Sequence, residues 1–320
     1  MALETSYGPD QRAFADAIAA FARDHRKAWQ PDPVTGFAPP AFPTEVWRGL
    51  ADLGVLGLGR PDSGAAPADV AAAAEALGRE GVPGPLWHTM LAGALLDTEA
   101  VATGAVVVSA GVPALMPWAT DAGVFLDLTG LREGEIWHCT ATSVGEPVAM
   151  LGHESWAPAT LHRERSLAVP ASAVLLADLA HAGYLVGAAD RILADAAAYV
   201  ASRQQFGRAL GDFQGVALPL AACAARLSAA GALVRRAAAT GDPVTGQLAL
   251  ASSARAARET LYQCHQGYGA IGFTEEGPLA WLGPRIGLLA AEAESPWRRP
   301  TDTALLGAPT DDLAPARRVR

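Results

Sequence analysis

Two helical stretches meet at Ala201-Ser202-Arg203-Gln204-Gln205-Phe206-Gly207-Arg208-Ala209-Leu210-Gly211-Asp212-Phe213-Gln214, and no other segment restricts the architecture of this chain as much. Before it, Ile192, Ala196, Tyr199 and Val200 fall on one face of a helix expected over 184–205, with Gly207 as its stop. After it, Asp212 can cap a second helix, which Pro219 should kink near its start. Gly241-Asp242-Pro243 makes a turn, a third helix is expected over 245–264, and a fourth over 279–294. Four antiparallel helices of this length form a bundle.

The first hundred residues are helical in pattern as well. Phe14, Ile18 and Phe21 recur at helical spacing between Pro9 and a Pro31-Asp32-Pro33 turn. Thr44 can cap a helix that stops near Gly54, Asp69 can cap an alanine-rich helix through Leu77, and 86–96 is a further apolar helix. Between 105 and 170 the texture changes. Ala105-Val106-Val107-Val108, Gly123-Val124-Phe125-Leu126-Asp127-Leu128, Glu135-Ile136-Trp137-His138-Cys139-Thr140 and Leu167-Ala168-Val169-Pro170 are short, β-branched or aromatic, and separated by turn residues. That segment has room for about five or six average strands. The expected chain is therefore mainly α: an N-terminal helical domain (1–104), a small central β domain (105–170), a C-terminal four-helix bundle (171–300) and a flexible tail (301–320).

Composition narrows the partners. A net charge of -9 over 320 residues opposes binding to a polyanion, and the basic residues are scattered, so no nucleic acid is expected. Cys139, Cys223 and Cys264 are odd in number and show no paired spacing, which points away from a disulfide framework or zinc ribbon and toward a reducing cytoplasm. His138, His153 and His162 match no standard zinc spacing, so no metal is expected. No apolar stretch reaches spanning length without Gly, Pro or charge, and no membrane association is expected.

Several segments together resemble the acyl-CoA dehydrogenase family. Trp47-Arg48-Gly49-Leu50-Ala51-Asp52-Leu53-Gly54-Val55-Leu56-Gly57 is similar to its N-terminal phrase and Ala76-Leu77-Gly78-Arg79-Glu80 to the next. Arg203-Gln204-Gln205-Phe206-Gly207 with Phe213-Gln214 resembles its most recognisable segment, and Gln266-Gly267-Tyr268-Gly269-Ala270-Ile271-Gly272-Phe273-Thr274-Glu275-Glu276 its late glycine-rich phrase. The resemblance implies FAD, bound largely by a neighbouring subunit, with Arg203, Gln205, Phe206, Gln266 and Gly269 as contacts. A guanidinium offers forked donors to a pyrophosphate, and residues without side-chain bulk let backbone N–H groups approach phosphates. Without a ligand, Arg203 also suits a helix C-terminus, and Phe206 suits simple packing. Ala270 stands where the family usually has a second glycine.

The resemblance also implies a carboxylate that removes the α-proton of an acyl thioester. An ungapped register places that position at Ala293, flanked by Glu292 and Glu294, with Glu294 favoured because it lies nearest the Ser295-Pro296 break. The alternative position used by some relatives falls at Ala177, beside Asp178. The family's β-domain phrases are missing in order, although Trp137 with Thr140, Thr142 and Ser143 could imitate the loop over the flavin ring. The resemblance thus implies an acyl-CoA dehydrogenase-like flavoprotein, or a subunit of one, acting on CH–CH groups by α,β-dehydrogenation of an acyl thioester. The alternatives are a flavin-free, non-redox member of the fold or a non-catalytic partner subunit. A homodimer, or a heteromer with a full-length acyl-CoA dehydrogenase-like subunit, is expected.

Overall fold

The computed structural model describes residues 6–30, 42–96, 98–149 and 154–298. The Pro31-Asp32-Pro33 turn, His153 and the tail at 301–320 lie outside them.

The N-terminal part is helical: α1 (Pro9–His25), α2 (Thr44–Asp52), α3 (Pro67–Glu80), α4 (Leu86–Leu95) and a short α5 (Glu99–Ala102). Thr44 is the first helical residue of α2 rather than its cap, which is Pro43. Asp69 acts from inside α3, accepting the Ala66 N–H at 2.7 Å and so satisfying a donor the helix start leaves free. α4 is buried along almost its whole length, and it carries Trp87 and His88 into the interior.

Next comes one sheet of six strands: β1 (Val107–Gly111), β2 (Leu115–Pro117), β3 (Ala122–Asp127), β4 (Glu135–Val144), β5 (Val148–Ala149) and β6 (Ser155–Ala168). The order is β1-β3-β4-β6-β2, with β5 on β6; β1 and β3 are parallel and the other pairs antiparallel. Met116, Phe125, Cys139, Ala157 and Ala159 form a small core of their own inside it. Most of β6 carries no strand signal in the sequence, because His162-Arg163-Glu164-Arg165-Ser166 is exposed and charged and reads as a loop.

The C-terminal part contains α6 (Ala171–Ser202), α7 (Gln214–Thr240), α8 (Pro243–Tyr268) and α9 (Gly283–Ala293). α6 begins at Ala171, not at 184, because its first half is buried on all sides and shows no single apolar stripe. It is the axis of the molecule and packs against α3, α4, α7, α8 and α9. The contact with α3 is backbone to backbone. A Cβ at Gly78 would sit 2.0 Å from the Tyr184 carbonyl oxygen, and one at Gly187 2.0 Å from that of Glu75. α7 runs through Pro219, and Asp212 lies in a 3-10 turn before it rather than at its cap. Asp242 caps α8, accepting from the N–H groups of Val244 (3.3 Å) and Thr245 (3.1 Å). By length and composition α6 and α7 are both apolar enough to cross a membrane, but α6 is spent in the core; the most apolar window of α7 is only 28% buried. α7 thus presents an apolar, alanine-rich outer face.

Candidate functional site

Two groups of chemistry-bearing residues lie at opposite ends of α6. At its C-terminal end Arg203 leads into a hairpin, β7 (Gln204–Gln205) against β8 (Arg208–Ala209). Phe206 and Gly207 form its two-residue turn, with φ of 53° and 82°. Gly207 therefore does not stop the helix, which already ends at Ser202. The left-handed conformation is unfavourable for a bulky residue, yet it holds the Phe206 ring 86% exposed. That ring meets Phe213 edge-on at 6.1 Å, while the Arg208 guanidinium lies 3.9 Å over Phe213.

The end of α8 joins this surface. Tyr199 and Tyr268 rings stand 4.8 Å apart, and Gly267 packs against Val200, which brings Gln266 and Gly269 to the same end of the bundle. Phe273, 70% exposed, stacks on His265 at 4.5 Å beside them. Arg203, Gln205, Phe206, Gln266 and Gly269 are all exposed. Among the described residues the Arg203 backbone bonds Tyr199 and Leu210 while its guanidinium makes no hydrogen bond or ion pair, and nothing fills the space where a Gly269 side chain would be. A free fork, an open ring, two amides and an uncovered glycine fit one edge of an FAD dinucleotide. They form an open surface rather than a pocket.

The other group is buried where α9 meets α4 and the start of α6. Glu294, favoured from the sequence as the base, is the C-cap of α9 and pairs with Arg258 on α8, away from the interior. Two positions span about 200° of a helix, so Glu292 faces the opposite way. Glu292 is buried, accepts the Trp87 Nε1–H at 3.2 Å and lies 3.6 Å from His88 Nε2. Burial alone would raise its pKa, but the nearby His88 and the charge of Arg298 outweigh this and hold it below the usual carboxylate range. Its Oε2 is engaged by Trp87, whereas Oε1 and both ring nitrogens of His88 have no hydrogen-bond partner among the described residues.

Asp178 lines a cavity of about 210 Å³ together with Trp87, Leu91, Leu131, Val174 and Arg298. Its Oδ1 accepts from Arg298 Nη2 at 2.7 Å. Burial pushes the Asp178 carboxyl up, against the pull of that guanidinium. Arg298 Nη1 donates to His181 Nδ1 at 3.0 Å, and the His181 Nε2–H donates to the Leu289 carbonyl at 3.0 Å. Burial, then the Arg298 charge, drives the His181 pKa down to about 3, so the ring is neutral and its tautomer is set by those two bonds. The Arg298 guanidinium also lies 4.0 Å over the Trp87 ring.

A neighbouring knot ties the sheet to the bundle. The Arg285 Nε of α9 lies 3.5 Å from Glu154 Oε1, just before β6, and its Nη1 donates to the Gly81 carbonyl at 3.0 Å and the Tyr184 hydroxyl at 3.3 Å. In the sheet, Arg163 lies 4.9 Å over the Trp137 ring and donates to Asp127 at 2.8 and 2.7 Å. One face of Trp137 is thus covered by Arg163. His138 and His162 are separate strand positions on β4 and β6, and no group of three His, Cys, Asp or Glu gathers in metal-binding geometry among the described residues. Sequence reasoning did not single out Trp87, His88, His181, Arg298, Glu154 or Arg285; a polar residue within an apolar helix, as His88 is, was the one available signal.

A sequence model of the acyl-CoA dehydrogenase C-terminal domain matches residues 169–286. No curated protein matches the sequence. Among solved structures, the chain is similar to butyryl-CoA dehydrogenase from Megasphaera elsdenii, with a TM-score of 0.70 and 17% identity over 94% of this chain and 97% of that one. The ChsE4–ChsE5 complex from Mycobacterium tuberculosis gives 0.69 and 16% over 91% and 96%, and PigA with FAD and proline gives 0.70 and 16% over 90% and 97%. Residues 169–286 are thus similar to the acyl-CoA dehydrogenase C-terminal domain, and the chain shares the fold of these solved structures along most of its length.

Proposed function

We propose that this chain is a subunit of a heteromeric acyl-CoA dehydrogenase-like enzyme, completing the FAD site of a full-length partner without carrying a working acyl site of its own. The observation that supports this is the separation of the two groups. Asp178 on α6 and Arg203 at its C-cap lie 25 positions apart, which at a rise of about 1.5 Å per residue is about 37 Å. The exposed end therefore serves a different site from the buried acids. Arg203 would hold the pyrophosphate, Phe206 and Gln205 would pack on the nucleotide, and Gln266 with the Gly269 backbone would close the same edge. When bound, FAD supplies the acceptor for the β-hydride of an acyl thioester.

The interior residues support a non-catalytic role for this half: Glu294 is paired outside, Glu292 is engaged by Trp87, and Asp178 is tied to Arg298. The likeness to a two-component complex, ChsE4–ChsE5, and to an FAD complex, PigA, agrees with the reading. The test is the visible spectrum of the chain purified alone and after co-expression with full-length acyl-CoA dehydrogenase homologues. Flavin absorbance appears only in the co-purified complex on this reading. A yellow, catalytically active chain on its own would instead mean an autonomous flavoprotein, and a colourless complex would mean a non-redox one.

A further inference from the structure

At the edge of the cavity lined by Trp87, Asp178 and Arg298, three groups converge on the Arg298 guanidinium. Asp178 supplies the carboxylate, and its side chain is as buried as that of Arg298. Trp87 supplies a flat face at 4.0 Å, and His181 supplies a lone pair at 3.0 Å on a ring fixed by its own bond to the Leu289 carbonyl. A carboxylate, an aromatic face and an in-plane acceptor are the three partners of a planar guanidinium; an ammonium has no flat face to stack. Trp297, from the same segment as Arg298, lines the cavity too, and its ring centre lies 6.0 Å from the guanidinium.

We propose that the pocket formed by Trp87, Asp178 and His181 is a guanidinium receptor that the chain fills with its own Arg298, leaving no free base in the cavity. The proposal rests on the reading of this chain as the non-catalytic half and gives that half its chemical reason: the acid lining the cavity is paired with Arg298. Removing the side chain should leave a receptor open to an outside guanidinium.

The experiment uses the full-length chain carrying Arg298→Ala, titrated with methylguanidinium while tryptophan fluorescence and melting temperature are followed. A saturable fluorescence change and a rising melting temperature are expected. Methylammonium should bind roughly tenfold or more weakly, lacking the planar fork and the stacking face. The wild type should respond to neither, and Arg298→Ala combined with Asp178→Asn should lose the response. Equal responses to the two cations, or none in Arg298→Ala, would overturn the proposal. Where Arg298→Ala does not fold unaided, the same comparison is read as refolded yield, and equal yields overturn it. The flavin content of the co-purified complex does not depend on this outcome, so the two readings fail separately.

Discussion

Replacing Glu154 by glutamine isolates the electrostatics of the knot between sheet and bundle. Burial is the main cause lifting the Glu154 carboxyl from its ordinary 4.5 to about 7; Arg285 opposes the rise and Glu292 adds to it. Tyr184, the other titratable group of the knot, donates its hydroxyl to the Val82 carbonyl. Between those two values the folded chain holds a proton that the unfolded chain has released. Stability from this group is therefore complete below about 4.5 and lost as the pH rises through 7. The gap of about 2.5, at about 1.36 kcal/mol for each pH unit, amounts to about 3 kcal/mol. Glutamine keeps the shape and the neutral state. Urea denaturation of wild type and Glu154→Gln at pH 5 and pH 8 should give a variant more stable by about 1 kcal/mol at pH 5 and by about 3 kcal/mol at pH 8. A variant less stable than wild type at pH 8 would mean that the Glu154–Arg285 ion pair is net favourable, and would refute the reasoning.

Three other perturbations probe different parts of the account. Gly78→Ala forces a methyl group onto the Tyr184 carbonyl oxygen; a loss of about 2 kcal/mol in denaturant unfolding is expected despite alanine's better helix propensity. Phe206→Asn suits the left-handed turn and removes an exposed ring, so the melting temperature of the chain alone should hold or rise while flavin retention by the complex falls. Glu294→Gln breaks only the pair with half-exposed Arg258 and should leave thioester turnover by the complex unchanged and stability altered by less than about 1 kcal/mol; a fall in turnover would restore it as a base.

The sequence made the bundle legible because long helices repeat their apolar face every 3.6 residues, and it picked out the exposed end of the bundle because Arg203, Phe206, Gln266 and Gly269 sit in short contiguous phrases. The first half of α6 and most of β6 were hidden for opposite reasons. One is buried all round and has no stripe, and the other carries a charged run across an exposed face. The buried polar network was illegible because its members are far apart in the chain: Trp87 and Glu292 meet across 205 positions, and Arg298 and Asp178 across 120. Nothing local distinguishes Glu292 from Glu294. Only the packing of α9 on α6 and α8 turns one inward, to Trp87, and the other toward Arg258.

The most direct test of the central claim is the number of flavins per pair of chains in the co-purified complex, measured from flavin absorbance and quantitative amino-acid analysis. This account predicts one FAD for each copy of this chain and its partner, and a loss of that flavin when only this chain carries Arg203→Ala, since each charge-assisted bond to pyrophosphate contributes about 1.5–3 kcal/mol. Two flavins per pair, or one that is retained undiminished by Arg203→Ala, would contradict it.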